Sequence, residues 1–209
     1  HVFGTRIMRR TDCIITVFFE DILAALDEGA YDRVIVPKGE QVEPTITKSQ
    51  LVGQFGLISS FTTTTTKDKD RNNNIEISAA ALNGRMVKPG DTMSFNDCTG
   101  QRTGEKGYRE AGAIAGGVLV DDTGGGVCQT SSTLFNAVVR ADLEIVKRSA
   151  HSWPSSYVNK GEDATVNWPS LDFVFRNNGD YPVFVIAWYE NQTVTVQIYG
   201  KLLPNGQTV

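Results

Sequence analysis

Histidine is scarce in this sequence: in 209 residues it occurs twice, as the first residue, His1, and in the interior as His151. Cysteine occurs three times, as Cys13, Cys98 and Cys128. No pair among them has zinc-like spacing, so a Cys/His metal centre is not expected and no cofactor is called for. Three cysteines cannot close a disulfide framework, and at least one stays unpaired within the chain. No apolar run approaches the roughly 18 residues needed to span a bilayer, and no signal peptide is present. A basic block is missing too. At net charge −4, neither nucleic acid nor an anionic membrane surface is an expected partner. The chain opens at His1 rather than Met and enters mid-pattern, as a fragment would, so missing targeting signals say little about location. What is present, 40% hydrophobic and 21% charged residues, is ordinary globular composition with enough material for a core.

Residues 1–48 read as a small α/β piece. Residues 11–19 (TDCIITVFF) form a β-rich apolar run with Cys13 as a core position. Residues 20–28 (EDILAALDE) set Ile22, Leu23, Ala25 and Leu26 at helical spacing and stop at Gly29. Residues 33–36 are a short strand, and a polar linker containing Pro44 leads to a second domain, 49–209. There, 61–66 (FTTTTT) reads as a strand with one hydroxyl face, 67–74 (KDKDRNNN) as a charged loop and 75–82 as a short helix. Later, 143–148, 171–175, 182–188 and 193–199 read as strands joined by short turns, an antiparallel meander. The expected fold class is α+β.

Residues 123–140 (TGGGVCQTSSTLFNAVVR) stand out. Gly124 to Gly126 permit positive φ and close approach of another group. Leu134, Ala137, Val138 and Ala141 then share one face of a helix, and Ser131, Ser132 and Thr133 suit its first turn. Cys128 is therefore expected at or just before a helix N-terminus, where N–H groups and the positive dipole end favour a thiolate. A small buried hydrophobe beside a tight turn is the plainer reading of the same residue. His151 follows 23 residues later, a distance that one helix and one returning strand would cover. Asp163, at the start of the next β segment, is placed to orient the imidazole. Arg148 precedes His151 by three residues, which on a regular strand sends the two side chains to opposite faces. Arg148 is then a support that binds a carboxylate or carbonyls, or faces a ligand if the strand is irregular. The order Cys, His, Asp on helix, strand and strand resembles that of papain-like and transglutaminase-like enzymes.

The segments 124–136 (GGGVCQTSSTLFN), Arg148 with His151-Ser152, and 161–166 (GEDATV) together resemble the VanW family, named from vancomycin-resistance gene clusters. Asn83-Gly84, Pro89-Gly90, Ser94-Phe95-Asn96, Arg102-Thr103 and Gly107-Tyr108 match its upstream blocks. The resemblance spans about residues 55–200, and makes 1–48 the closing part of a peptidoglycan-binding module. It implies an extracellular, envelope-associated protein of Gram-positive bacteria, with a signal or anchor upstream and peptidoglycan or wall peptides as partner. Cys128, His151 and Asp163 are then nucleophile, base and orienter of a peptidase or transpeptidase. The N–H of Cys128 or Gln129 would stabilise an oxyanion, and Gly125, Gly126, Gln129, Ser131 and Arg148 would bind substrate. Cys98 falls where the family varies and is outside any shared site. Two rivals stay open: a non-catalytic wall-binding module using the same residues as a polar pocket, and a purely structural motif with Cys128 buried and inert.

Overall fold

A computed structural model describes residues 21–35, 53–115 and 118–202. The chain divides into two compact units, His1–Thr47 and Lys48–Val209. In the first, residues 21–27 are helical. Gly29 closes that turn at φ +67°, its N–H donating to the Leu26 carbonyl at 3.1 Å, while the Ala30 N–H reaches back to Ala25 at 2.9 Å. Residues 33–35 form no strand, unlike the expectation for 33–36. The expected strand over 11–19, with Cys13, and the Pro44 linker lie outside the described residues.

The second unit is α+β, and every strand pair in it is antiparallel. A four-stranded sheet runs in the order β1 (Phe55–Thr64), β9 (Thr193–Lys201), β8 (Val183–Glu190), β2 (Arg85–Val87). A three-stranded sheet is ordered β3 (Thr92–Ser94), β7 (Val174–Arg176), β6 (Glu144–Lys147), and β4 (Glu110–Ala115) with β5 (Val118–Thr123) makes a two-stranded ribbon. Helices α1 (Lys69–Leu82) and α3 (Val127–Arg140) lie on the large sheet and touch each other, while the short α2 (Phe95–Thr99) packs on α1. Val185, Val194, Val196 and Ile198 from the sheet meet Ile75, Ala79 and Leu82 of α1 and Leu134, Ala137 and Val138 of α3 in one core. Cys128 thus rides on a helix held by a mainly antiparallel β structure.

Three further sequence expectations fail for physical reasons. Residues 67–74 are no loop beyond Asp68, because α1 starts at Lys69. The Asp68 carboxylate caps it, accepting from the N–H groups of Asp70 (3.0 Å) and Arg71 (3.1 Å). The three asparagines that looked like loop chemistry are spent on backbone groups outside the helix. Asn72 donates to Thr66 O and Asn73 to Gly107 O. Asn74, fully buried, donates to the carbonyls of Arg109 (2.8 Å) and Gly125 (3.0 Å) and accepts the Arg109 N–H (2.8 Å).

The meander holds only for β8 and β9, joined by Asn191 and Gln192 at φ +50° and +59°, the primed-turn geometry of a two-residue hairpin. β7 sits in the other sheet. The alternation over 171–175 breaks because Asp172 is buried. Its carboxylate accepts from Ser94 Oγ (2.5 Å) and the Asn96 N–H (2.9 Å) at the start of α2.

Asn74 is therefore a three-bond rivet between α1, the end of the β4 approach and the glycine turn. Replacing it, Asn74→Ala, strands buried backbone groups, each worth about 1–3 kcal/mol. A loss of about 2–4 kcal/mol in urea unfolding is expected, and an unchanged midpoint would remove α1 as the support of that turn.

Candidate active site

Gly126 is the N-cap of α3 at φ +101°, and Cys128 is the second residue of the helix. The turn is crowded rather than loose. A Cβ on Gly125 would stand 2.1 Å from the Ala111 carbonyl oxygen in β4, so only glycine fits.

One stripe of α3 then organises the site. Cys128, Ser132 and Asn136 recur every four residues, an axial step of about 6 Å. Beside them runs an extended, unpaired segment, 162–166. The Asn136 amide donates to Glu162 O at 2.7 Å. The Ser132 hydroxyl accepts the Ala164 N–H at 2.9 Å, and the Cys128 sulfur lies 3.5 Å from the Val166 nitrogen and 3.3 Å from its carbonyl oxygen. Residues two apart in extended chain are about 6.6 Å apart, so the two pitches match. Alternate backbone groups face the other way. The Thr165 N–H donates to Ser149 O at 2.8 Å, and Asp163 O accepts from Arg148 Nε at 2.6 Å. The segment is a splint between helix α3 and the chain that follows β6.

That splint carries Asp163 to His151. Asp163 Oδ2 lies 2.7 Å from His151 Nδ1 and also accepts the His151 backbone N–H at 2.6 Å. Oδ1 accepts from Arg148 Nη2 at 3.0 Å. With Nδ1 donating to the carboxylate, Nε2 is the ring nitrogen turned to other work, and the imidazole and the Cys128 sulfur stand close enough to shift each other's protonation, the sulfur down and the ring up. Tyr157 closes the assembly edge-on to the imidazole, with centroids 6.5 Å apart and planes at 82°. Its phenol is pushed up by burial and by the nearby sulfur, so it stays neutral.

The charges of these groups support one another. Burial alone would raise the Cys128 thiol; the hydrogen bond from His151, the Val166 backbone, the charge of His151 and the Thr165 hydroxyl outweigh it and hold the thiol below its ordinary value. Burial would lower His151, but the sulfur and then Asp163 outweigh that and raise it. Burial works against the Asp163 carboxylate as well, and the His151 N–H and imidazole bring it below the usual range. The shifts all run in the direction that favours a thiolate beside an imidazolium, backed by a carboxylate.

Cys128, His151 and Asp163 are thus brought together, though not on the expected elements. β6 ends at Lys147, so Arg148 and His151 stand beyond it, and Asp163 is on the splint rather than a strand. Arg148 reaches Asp163 and, through Nη2, Gly161 O at 3.0 Å, while stacking on Phe135 at 5.2 Å. Its donors serve the protein rather than a groove. Gln129, 1% exposed, and Ser131, 0% exposed, are out of reach of a substrate. The Gln129 amide instead joins Thr63 (3.0 Å) and Thr64 O (2.9 Å) of β1 to Arg71 (2.8 Å) of α1, so the threonine strand anchors the site helix. The Gly125 carbonyl is taken by Asn74 and its α-carbon abuts β4. Sequence reasoning missed Ser132 and Asn136 as lacing residues, although their four-residue spacing from Cys128 was visible; nothing in the sequence marked Tyr157. Cys98 belongs elsewhere, beside β2 and β3, with its thiol raised by burial. Among the described residues no cluster of His, Cys, Asp or Glu is arranged to hold a metal ion.

The family described as VanW like protein matches residues 70–199, more than half of the chain. The chain belongs to the VanW family. The matched span includes the whole Cys128–His151–Asp163 assembly. The chain is 42% identical over 133 residues to uncharacterized protein YoaR of Bacillus subtilis (strain 168), covering 64% of this chain and 44% of the relative. It is 30% identical over 135 residues to vancomycin B-type resistance protein VanW of Enterococcus faecalis (strain ATCC 700802 / V583), covering 62% of this chain and 49% of the relative. The chain thus spans less than half the length of either relative. No solved structure matches it, and the papain-like likeness expected from residue order is not confirmed. No helix among the described residues is long and apolar enough to cross a membrane.

The opposed shifts set a pH window. The Cys128 thiol is lowered and the His151 ring raised, which draws the two titrations toward each other and favours the ion pair at intermediate pH over either extreme. Stability follows the same signs. The raised His151 contributes below about 6.5 and its contribution is lost as pH rises through its folded value; the depressed Asp163 contributes above about 3.9 and is lost as pH falls through its own. At pH 6 an ordinary thiol, with a pKa of about 8.5, is almost wholly protonated. Cys128 is expected to react with iodoacetamide there at least about tenfold faster than Cys98. His151→Ala should slow Cys128 at pH 6 and matter less at pH 9. Equal rates for the two cysteines would mean that the pair does not form.

Proposed function

We propose that this VanW domain is a cysteine-dependent enzyme that cleaves or transfers an amide bond in cell-wall peptides, acting at the outer face of a Gram-positive cell. The observation that carries the reading is the Asp163 carboxylate 2.7 Å from His151 Nδ1, with that imidazole lowering the Cys128 thiol at a helix N-terminus. The Cys128 thiolate attacks the amide carbonyl carbon, forming a C–S bond. As the C–N bond breaks, the His151 imidazolium passes its proton to the leaving nitrogen, giving a free amine and a thioester. His151, neutral again, then takes a proton from water or from an acceptor amine as that nucleophile displaces the sulfur. Water gives hydrolysis and an amine gives transpeptidation. Gly126 O takes the Gln129 N–H at 2.9 Å, so the Cys128 N–H is the helix-end donor left for the oxyanion. Asp163 holds the imidazole tautomer, and Arg148 holds Asp163.

The wall peptide as substrate rests on the family resemblance and on the resistance role in the name of the E. faecalis relative. In the same reading residues 1–48 are the end of a peptidoglycan-binding module that tethers the enzyme to its polymer. One observation favours the non-catalytic alternative, a wall-binding module: the Cys128 sulfur can donate to the Val166 carbonyl at 3.3 Å, which satisfies a resting thiol.

Incubation with defined peptidoglycan fragments, with products weighed by mass spectrometry, separates the two. Wild type is expected to release or join a peptide, and Cys128→Ala and His151→Ala to do neither. Asp163→Asn should lose about a hundredfold or more, because the tautomer is no longer held. Retention of fragments without any change in their mass, equal in wild type and Cys128→Ala, would establish the binding module instead.

A further inference from the structure

Two guanidinium groups bracket the glycine turn that delivers Cys128, and among the described residues neither is paired with a carboxylate. The ion pairs there use Arg33, Arg109, Arg140, Arg148 and Arg176. Arg102 lies over Gly124, where an added Cβ would stand 2.8 Å from Arg102 Cβ and 2.9 Å from its Cγ. Arg71 lies over Gly126, where a Cβ would stand 2.6 Å from Arg71 Cγ. Each arginine is fixed by the protein without a direct ion pair, the Asp68 carboxylate acting on Arg71 and that of Asp172 on Arg102 only at longer range. Arg71 Nη1 donates to Gln129 Oε1 at 2.8 Å. Arg102 Nη2 donates to Asn96 Oδ1 at 2.8 Å, with the guanidinium 5.5 Å from the Phe95 ring centre. Arg102 Nη1 is buried and has no partner. The hydroxyl of Tyr108, a residue 4% exposed, is buried without a partner as well, and its ring reaches to 3.9 Å from the same Gly124 position.

Burying part of a cation without a directly paired counter-ion is costly, and so is an unmet hydrogen-bond donor. Here the cost shows as a lowering of both arginines, chiefly by burial, and both feel the charge of Cys128. A missing anion, supplied by a ligand, resolves all of these features together. A carboxylate matches best, because the planar guanidinium fork accepts two oxygens at once and the phenol donates a further bond.

We infer that the face between Arg102 and Arg71 receives a carboxylate of the substrate, so that the peptide acted on carries a free carboxylate close to the scissile amide. The inference rests on the proposed amide chemistry at Cys128 and adds the substrate class. Arg102, with Tyr108, is the direct contact, and Arg71 supplies the second positive charge.

The test uses iodoacetate and iodoacetamide, two alkylating agents that differ in the carboxylate and leave the same iodide. The ratio of their rates at Cys128, read by mass spectrometry of the intact protein, cancels any change in thiolate fraction. Relative to free cysteine the ratio should favour iodoacetate about fivefold or more, as expected for one nearby charge, and should fall with added salt. Arg102→Gln should lose most of that preference and Arg102→Lys should keep part of it, with circular dichroism checking the fold of each. A wild-type ratio equal to that of free cysteine overturns the carboxylate subsite even if Cys128 reacts fast, leaving the nucleophile reading intact. A thiol inert to both reagents overturns both. Protection from iodoacetamide by N-acetyl-alanyl-alanine places the carboxylate at a chain end, and protection by N-acetylaspartamide places it on a side chain. Protection by neither, or equally by N-acetyl-alanyl-alaninamide, counts against the subsite.

Discussion

The carboxylate of Asp163 is the joint on which the site depends. One oxygen receives both the imidazole and the backbone N–H of His151, and the other receives Arg148. A carboxylate so placed fixes the loop after β6 and the orientation of the ring in a single act. It also explains why Asp163 can stay ionised although it is largely shielded from water: the donors around it favour the charged form more than burial opposes it. Without it Arg148 would keep the Asp163 and Gly161 carbonyls, but the His151 N–H would lose its partner and the imidazole the acceptor that fixes its tautomer. The chemistry assigned to Cys128 therefore begins two residues beyond the atoms that react.

The joint is held in turn by the match between helix and extended chain. Four residues of helix and two of strand advance nearly the same distance, so one face of α3 meets every second backbone group of 162–166 without either element bending. Ser132 and Asn136 supply the polar ends of that ladder, which is why such a polar stripe is tolerated in a buried helix. The opposite face of α3 does ordinary core work through Leu134, Ala137 and Val138. Stability and site geometry are thus built on two faces of one helix, with Gln129 linking it to β1 and α1.

Much of this was legible because periodicity reports which face is apolar. The helix after Cys128, the β8–β9 hairpin and the α+β class all follow from residue spacing; order and spacing also suggested one site for Cys128, His151 and Asp163, and the resemblance to the VanW family pointed to the same residues. What was hidden follows a common rule: polar residues that work through backbone contacts look like loop. Asn72, Asn73 and Asn74 disguised the first turns of α1, and Asp172 broke an alternation because it caps α2 from across the fold. Asp163 was expected on a strand, but its segment bonds a helix instead of a neighbouring strand, and no local signal distinguishes those cases. Gln129 and Ser131 lie beside the nucleophile in sequence, and helical rotation carries them into the interior.

The three consecutive glycines gather these threads, and they answer to three different neighbours. Gly124 leaves room for Arg102, Gly125 for the backbone of β4 and Gly126 for Arg71. A run that reads as flexible is the most crowded turn in the site. Its middle member packs on β4 where α3 is about to begin, and the outer two make room for the stems of two arginines. A side chain at either outer position would displace an arginine before it touched Cys128. The same absence of side chains that positions the nucleophile therefore also leaves room for two arginines against the turn. That makes the placement of those two side chains as much a property of the turn as the position of the thiol.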